Sequence, residues 1–154
     1  IDQFGEKAIR DLGCVPNFLN YNGYPASICV SVNDEVVHGI PSKDRILQDG
    51  DIVSLDAGLI HEGYHSDAAR THAVAKRLIE VTKQSFFEGI KLAVPGNHLF
   101  DISEAIQKYV ESNGYSVVRD LVGHGIGTHL HEDPQIPNFK QRRKGMKLRP
   151  GITI

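Results

Sequence analysis

Two carboxylates and a set of imidazoles carry the chemistry available to this 154-residue sequence. Asp56 and Asp67 lie on two strand-like runs, 51–60 and 64–74, joined by the short polar step His61, Glu62, Gly63, a β-hairpin signal. With Ile60 and Gly63 flanking a two-residue turn, the register sets Asp56 directly opposite Asp67. Directly opposed side chains have β-carbons roughly 4.5–5.5 Å apart, and like charges there destabilise a sheet. A cation would turn that repulsion into attraction. The first run alternates Val53, Leu55, Ala57 and Leu59 against Ser54, Asp56 and Gly58, so the aspartate shares its face with small residues that leave room for an ion. From the hairpin alone two readings stand, a solvated surface pair and a cation site.

The eight histidines add to this, three of them between positions 124 and 131. His124 sits in Gly123-His124-Gly125-Ile126-Gly127, a glycine density that calls for special dihedrals or close approach of the backbone to a ligand. His38 precedes Gly39, another place where a backbone can come close to a ligand. Alone, a histidine in a strand is more often structural, so His38 takes its meaning from its context. Asp56, Asp67 and His124 together make an oxygen-rich set suited to Mn, Fe, Co or Zn, not to a thiolate-type structural site. The two cysteines, Cys14 and Cys29, are too few for a disulfide framework.

The elements that must position these groups follow from turn residues and periodicity. The length fits one domain and one core. Seventeen basic and nineteen acidic residues give a net charge of −2, with no global pull toward nucleic acid or anionic lipid. No apolar run approaches 18 residues and no secretory signal opens the chain, so a reduced, soluble, cytoplasmic setting is expected. Ile1, Phe4 and Ala8 have helical spacing and Gly13 a stop, so the chain is expected to open at the end of a helix. Residues 14–25 read as a loop that carries Phe18, Tyr21 and Tyr24, either an edge of the core or a wall of an apolar pocket. A second hairpin is predicted, 27–32 returning over 35–40. A helix is expected over 75–93 with Ile79, Phe86, Ile90 and Ala93 inward, and another from an N-cap at Asp101 with Ile102, Ala105, Ile106, Tyr109 and Val110 inward. Residues 115–118 and 152–154 read as short strands, and the basic cluster between Lys140 and Arg149 as a solvated loop.

The order and context of the motifs make the reading specific. Val36-Val37-His38-Gly39-Ile40-Pro41, Ser54-Leu55-Asp56-Ala57-Gly58, Ser66-Asp67, the His124 glycine motif and then His131 resemble bacterial type I methionine aminopeptidase over nearly the whole chain. The resemblance implies an α+β pita-bread fold, a curved antiparallel sheet with helices on its outer face, around two divalent metal ions. It implies that Asp56, Asp67 and His124 are metal ligands, and that His38 and His131 lie beside the metals and hydrogen-bond the scissile peptide. Phe18, Tyr21, Tyr24, Cys29 and Leu130 match positions lining the pocket for the methionine side chain. The implied reaction is removal of N-terminal methionine from peptides and nascent chains by water activated on the metals. Ribosome association and a monomeric state are expected with it, and neither a membrane nor a specific nucleic acid. The family completes its ligand set with two glutamates beyond Ile154, and carries several more residues at the Val74–Ala75 junction. Residues 1–154 are therefore expected to be a single catalytic domain, incomplete at both ends and inactive as it stands. The alternatives are an Xaa-Pro peptidase of the same fold and a metal-free binding module.

Overall fold

A computed structural model describes residues 1–72 and 76–154. The Val74–Ala75 junction lies outside the described residues. The chain forms two compact units, residues 1–76 with 127–130, and residues 77–126 with 131–154.

In the first unit, helix α1 (Asp2–Asp11) ends where Gly13 takes φ +74°. Its inward face is Gly5 and Ile9 against Ile28; Phe4 is exposed. The Asp2 carboxylate accepts from the backbone N–H groups of Ser27 and Ile28 at 2.9 and 3.1 Å, fixing the start of the next long strand. The sheet consists of β1 (Val15–Pro16), β2 (Ile28–Val32), β3 (Val53–His61) and β4 (Tyr64–His72). β3 is central and antiparallel to all three, with β4 on one edge and β1 and β2 in succession along the other. Strand alternation gives the sheet two unlike faces. Ile28, Val30, Val32, Val53, Leu55 and Leu59 form a core with Ile9 of α1. The opposite face takes Cys29, Ser54, Asp56, Gly58, His65 and Asp67.

The hairpin register differs from the sequence-based expectation. The turn is Glu62-Gly63, with φ +50° and +84°, the pair of positive values that a two-residue hairpin turn of the right-handed twist favours. His61 therefore pairs with Tyr64, which places Asp56 opposite Ala69 and Asp67 opposite Gly58. The carboxylates are diagonal neighbours on one face, not direct partners. A shift of two in the sum of paired positions preserves the face, which is why the chemistry survives the error.

The predicted second hairpin has only its first arm. β2 spends its ladder on β3, and 35–40 runs as irregular chain, because His38 takes φ +58° and leaves the strand region. The segment is held by Gly39, whose C=O accepts from Val30 N–H at 2.8 Å while its N–H donates to Ser31 Oγ at 3.0 Å. A β-carbon at Gly39 would lie 2.3 Å from the Val30 oxygen and 2.7 Å from Ser31 Cα. Gly39→Ala is thus expected to cost about 2 kcal/mol, the usual scale of forced overpacking, measured as a fall in urea midpoint.

In the second unit, α2 (Lys76–Ile90) buries Val81, Ser85 and Gly89; of the residues predicted inward, Phe86 and Ile90 are exposed, Ile79 is half-buried, and Ala93, just past the helix, packs against the core cluster. Gly89 decides the matter. A β-carbon there would lie 2.7 Å from Ile106 Cγ1 and 3.2 Å from Ile102, so the glycine lets α2 approach α3 (Leu99–Ser112) closely. α3 starts earlier than predicted. His98 is the cap residue, and Asp101 stands in the first turn, accepting from His98 N–H at 2.8 Å. Its Ile102 and Val110 are buried as expected, Ile102 in a cluster with Leu99, Ile136 and Leu148. Residues 115–118 and 152–154 form no strand among the described residues; Thr153 Oγ1 instead donates to Ile126 O at 2.6 Å. The basic loop is exposed apart from Gln141 and Leu148, with Lys140 paired to Glu104 at 2.5 Å. β5 (Gly123–Gly125) pairs antiparallel with β6 (Glu132–Ile136) across a register shift.

Candidate metal centre

Asp56 and Asp67 share the polar face of the first unit's sheet. Asp56 is half-buried, its Oδ1 is inaccessible and without a hydrogen-bond partner, and Asp67 is exposed. Burial first, then the charge on Asp67 and the hydrogen bond between the two carboxyls, push Asp56 up to about 7. At neutral pH Asp56 is therefore roughly half protonated. The small residues predicted for this face are present: Gly58 lies opposite Asp67, and a β-carbon on it would meet Phe18 Cε1 at 2.7 Å and Asn17 Cβ at 2.8 Å.

The first unit also collects most of the predicted pocket. Cys29 is the ladder partner of Asp56 and is buried. Burial pushes its thiol up, as do the charges on Asp56 and Asp67, while its hydrogen bond with Tyr24 acts the other way. Tyr24 donates its hydroxyl to Gly39 O at 2.8 Å, and burial and the Cys29 contact hold its phenol well above the ordinary range. Phe18 is buried over Gly58 and Leu130 is buried in the same unit, whereas Tyr21 is 41% exposed, on a 3-10 turn with Asn22 and Gly23. His38 is exposed, one residue from the Gly39 anchor.

In the second unit, His124 and His131 bring their rings together, centroids 4.3 Å apart at 54°. His124 Nδ1 donates to Gly125 O at 2.9 Å, which puts the proton on Nδ1 and leaves Nε2 as the lone-pair nitrogen. The glycines beside it serve backbone-to-backbone approach. A β-carbon on Gly125 would lie 2.4 Å from Asp133 O, and one on Gly123 3.3 Å from Ile136 O. Among the described residues, no three His, Cys, Asp or Glu side chains converge in an arrangement that would hold an ion. The carboxylate pair still fits a divalent cation, since it offers a buried unpartnered oxygen and a like-charge conflict that a cation relieves.

Two side chains on this face were not foreseen. His65 alternates with Asp67 along β4, and its Nδ1 donates to Asn17 Oδ1 at 3.0 Å; its backbone N–H donates to Gly127 O at 2.8 Å. The alternation was a usable signal for His65. Asn17, inside a turn-rich loop, offered none.

The chain belongs to metallopeptidase family M24, whose model matches residues 1–154. Its fold is accordingly the pita-bread fold, and family membership implies divalent metal ions. Within the family, the chain is 53% identical to the methionine aminopeptidase of Clostridium acetobutylicum, a match covering the whole chain and 64% of that relative. The crystal structure of the Rickettsia prowazekii methionine aminopeptidase superposes with a TM-score of 0.93 at 42% identity, over 98% of this chain and 63% of that one. The prolidase of Pyrococcus horikoshii is alike in fold alone, with a TM-score of 0.69 at 24% identity over 81% of this chain and 37% of that one. The chain thus spans slightly under two thirds of the length of the methionine aminopeptidases it matches. Among the described residues no helix is long and apolar enough to cross a membrane.

Proposed function

We propose that the protein is an aminopeptidase that removes N-terminal methionine from peptides and nascent chains, its residues 1–154 forming part of one catalytic domain. The observation that carries this reading is the half-buried Asp56, paired with Asp67 and bearing an unpartnered oxygen, next to Cys29 and Tyr24 on the same face. Asp56, Asp67 and His124 are the proposed ligands for two divalent cations drawn from Co, Mn, Fe and Zn. When bound, the cations supply Lewis acidity toward a peptide carbonyl and lower the pKa of water.

The chain's own residues do the rest. The Nδ1–H bond to Gly125 O presents His124 Nε2 as a donor atom. Gly39, pinned to β2, holds the left-handed turn at His38, which with His131 hydrogen-bonds the substrate's peptide group. Phe18, Tyr21, Tyr24, Cys29 and Leu130 receive the methionine side chain, and the bonding of Tyr24 to Gly39 O and Cys29 keeps that wall rigid. Each methylene of side chain lost from such a pocket costs about 1–3 kcal/mol of discrimination. A cytoplasmic, monomeric protein acting near the ribosome is part of the same reading.

The full-length protein with Mn or Co is expected to release methionine from Met-Ala-Ser and leave Ala-Pro intact. Cleavage of the proline dipeptide without methionine release overturns this assignment in favour of an Xaa-Pro peptidase.

A further inference from the structure

His38 takes φ +58°, in the left-handed region that a residue other than glycine occupies only where its surroundings hold it there. Its side chain is exposed, so packing around the ring does not supply that hold; the chain that follows does. The Gly39 N–H belongs to the peptide bond leaving His38, and it donates to Ser31 Oγ at 3.0 Å, which fixes ψ of His38. The Gly39 C=O, one peptide further on, accepts twice. Val30 N–H donates to it at 2.8 Å, and so does the Tyr24 hydroxyl at 2.8 Å, which also reaches Ile28 O at 3.3 Å. Ser31 is 4% exposed and stands opposite Ser54 in the ladder, two residues along β2 from Cys29, the partner of Asp56. The clamp thus ties the His38 peptide to the strand that runs beside Asp56.

The bond from Val30 is backbone and any residue there would make it; the two hydroxyls are choices of side chain. We infer that Ser31 and the hydroxyl of Tyr24 are positioning residues for His38, an inference that rests on the proposed role of His38 in binding the substrate's peptide group. They hold its backbone in the left-handed turn, so the ring is already aimed when the peptide arrives and no reorientation opposes the reaction. Freed from the clamp, residue 38 relaxes to negative φ. That rotation swings its Cα–Cβ bond and carries the ring off its line. Tyr24 therefore has two separable tasks, its ring in the pocket wall and its hydroxyl in the clamp, whereas Ser31 has only the second.

The test is steady-state hydrolysis of Met-Ala-Ser by the full-length protein with Mn, run below the unfolding midpoint of every variant. Ser31→Ala removes one hydroxyl, and Tyr24→Phe removes the other while keeping the ring. Each is expected to lower kcat about tenfold and to leave KM within about twofold of the wild-type value. His38→Ala is expected to lower kcat about a hundredfold. In that background neither substitution should lower kcat further by more than about twofold, because the residue they position is gone. If Ser31→Ala does not fold, Tyr24→Phe, which leaves the Val30 bond on Gly39 O intact, decides alone. An equal loss of kcat in both backgrounds, an unchanged kcat, or a change confined to KM overturns the positioning role and leaves the aminopeptidase assignment standing. Undiminished kcat in His38→Ala overturns the reading of His38 and this inference with it. Wild-type protein that releases no methionine overturns the assignment itself.

Discussion

Asp67→Ala is expected to abolish methionine release from Met-Ala-Ser, with residual activity at or below about one part in a thousand. A bound cation contributes several kcal/mol of transition-state charge stabilisation, and the loss of about 4 kcal/mol converts to that factor. The substitution should be mild for the fold. Asp67 is exposed on β4 opposite Gly58, and its removal relieves Asp56 of a like charge. The expected signature is therefore lost turnover with a thermal unfolding midpoint, measured without metal, equal to or above that of the wild type. Normal turnover by Asp67→Ala would remove the carboxylate pair from the account.

The second large effect is a change of sign at Asp56. Its folded-state pKa is raised from 3.8 to about 7, so the fold favours the protonated carboxyl. Below pH 3.8 both folded and unfolded chains are protonated there and no penalty exists. Between pH 3.8 and 7 the unfolded chain releases the proton while the folded one retains it, so metal-free stability falls as pH rises through this window and is flat above it. Allowing for solvent screening at a half-buried group, the loss amounts to roughly 1–2 kcal/mol. Asp56→Asn keeps the shape and discards the charge. Without metal it should be more stable than the wild type at pH 8 by about that amount, and nearly equal to it at pH 4. Saturating Mn reverses the order, since it stabilises the wild type by mass action and has little to bind in the variant. Urea melts at the two pH values, with and without Mn, measure all four quantities. A wild type stabilised by rising pH without metal would contradict the coupling of the two carboxyls.

The sequence showed the chemistry more clearly than the geometry. The face shared by Asp56, Gly58 and Asp67 follows from strand alternation, which is unaffected by a register slip of an even number of residues. The register itself depends on which two residues take positive φ, and His61-Glu62 and Glu62-Gly63 are both plausible to the eye; the glycine decides for the second. The inward face of α2 was misread because apolar periodicity picks out Phe86 and Ile90, whereas close helix packing at Gly89 depends on the absence of a side chain. The failed return strand at 35–40 has a similar cause. Val36, Val37 and Ile40 look like a strand, but the positive φ of His38 and the clamp at Gly39 are tertiary demands. Asn17 was invisible for a different reason. Its place on this face rests on a hydrogen bond with a histidine 48 positions away, which no local pattern records.

The claim on which the others depend is that the Asp56–Asp67 face exchanges a proton for a divalent cation. The direct measurement is calorimetric titration of Mn into the full-length protein at pH 6.5, repeated in two buffers of different ionisation enthalpy. Saturable binding is expected, with release of up to one proton per high-affinity ion, and loss of both the binding and the proton release in Asp56→Asn. Absence of Mn binding, or binding that is unchanged by that substitution, would contradict it.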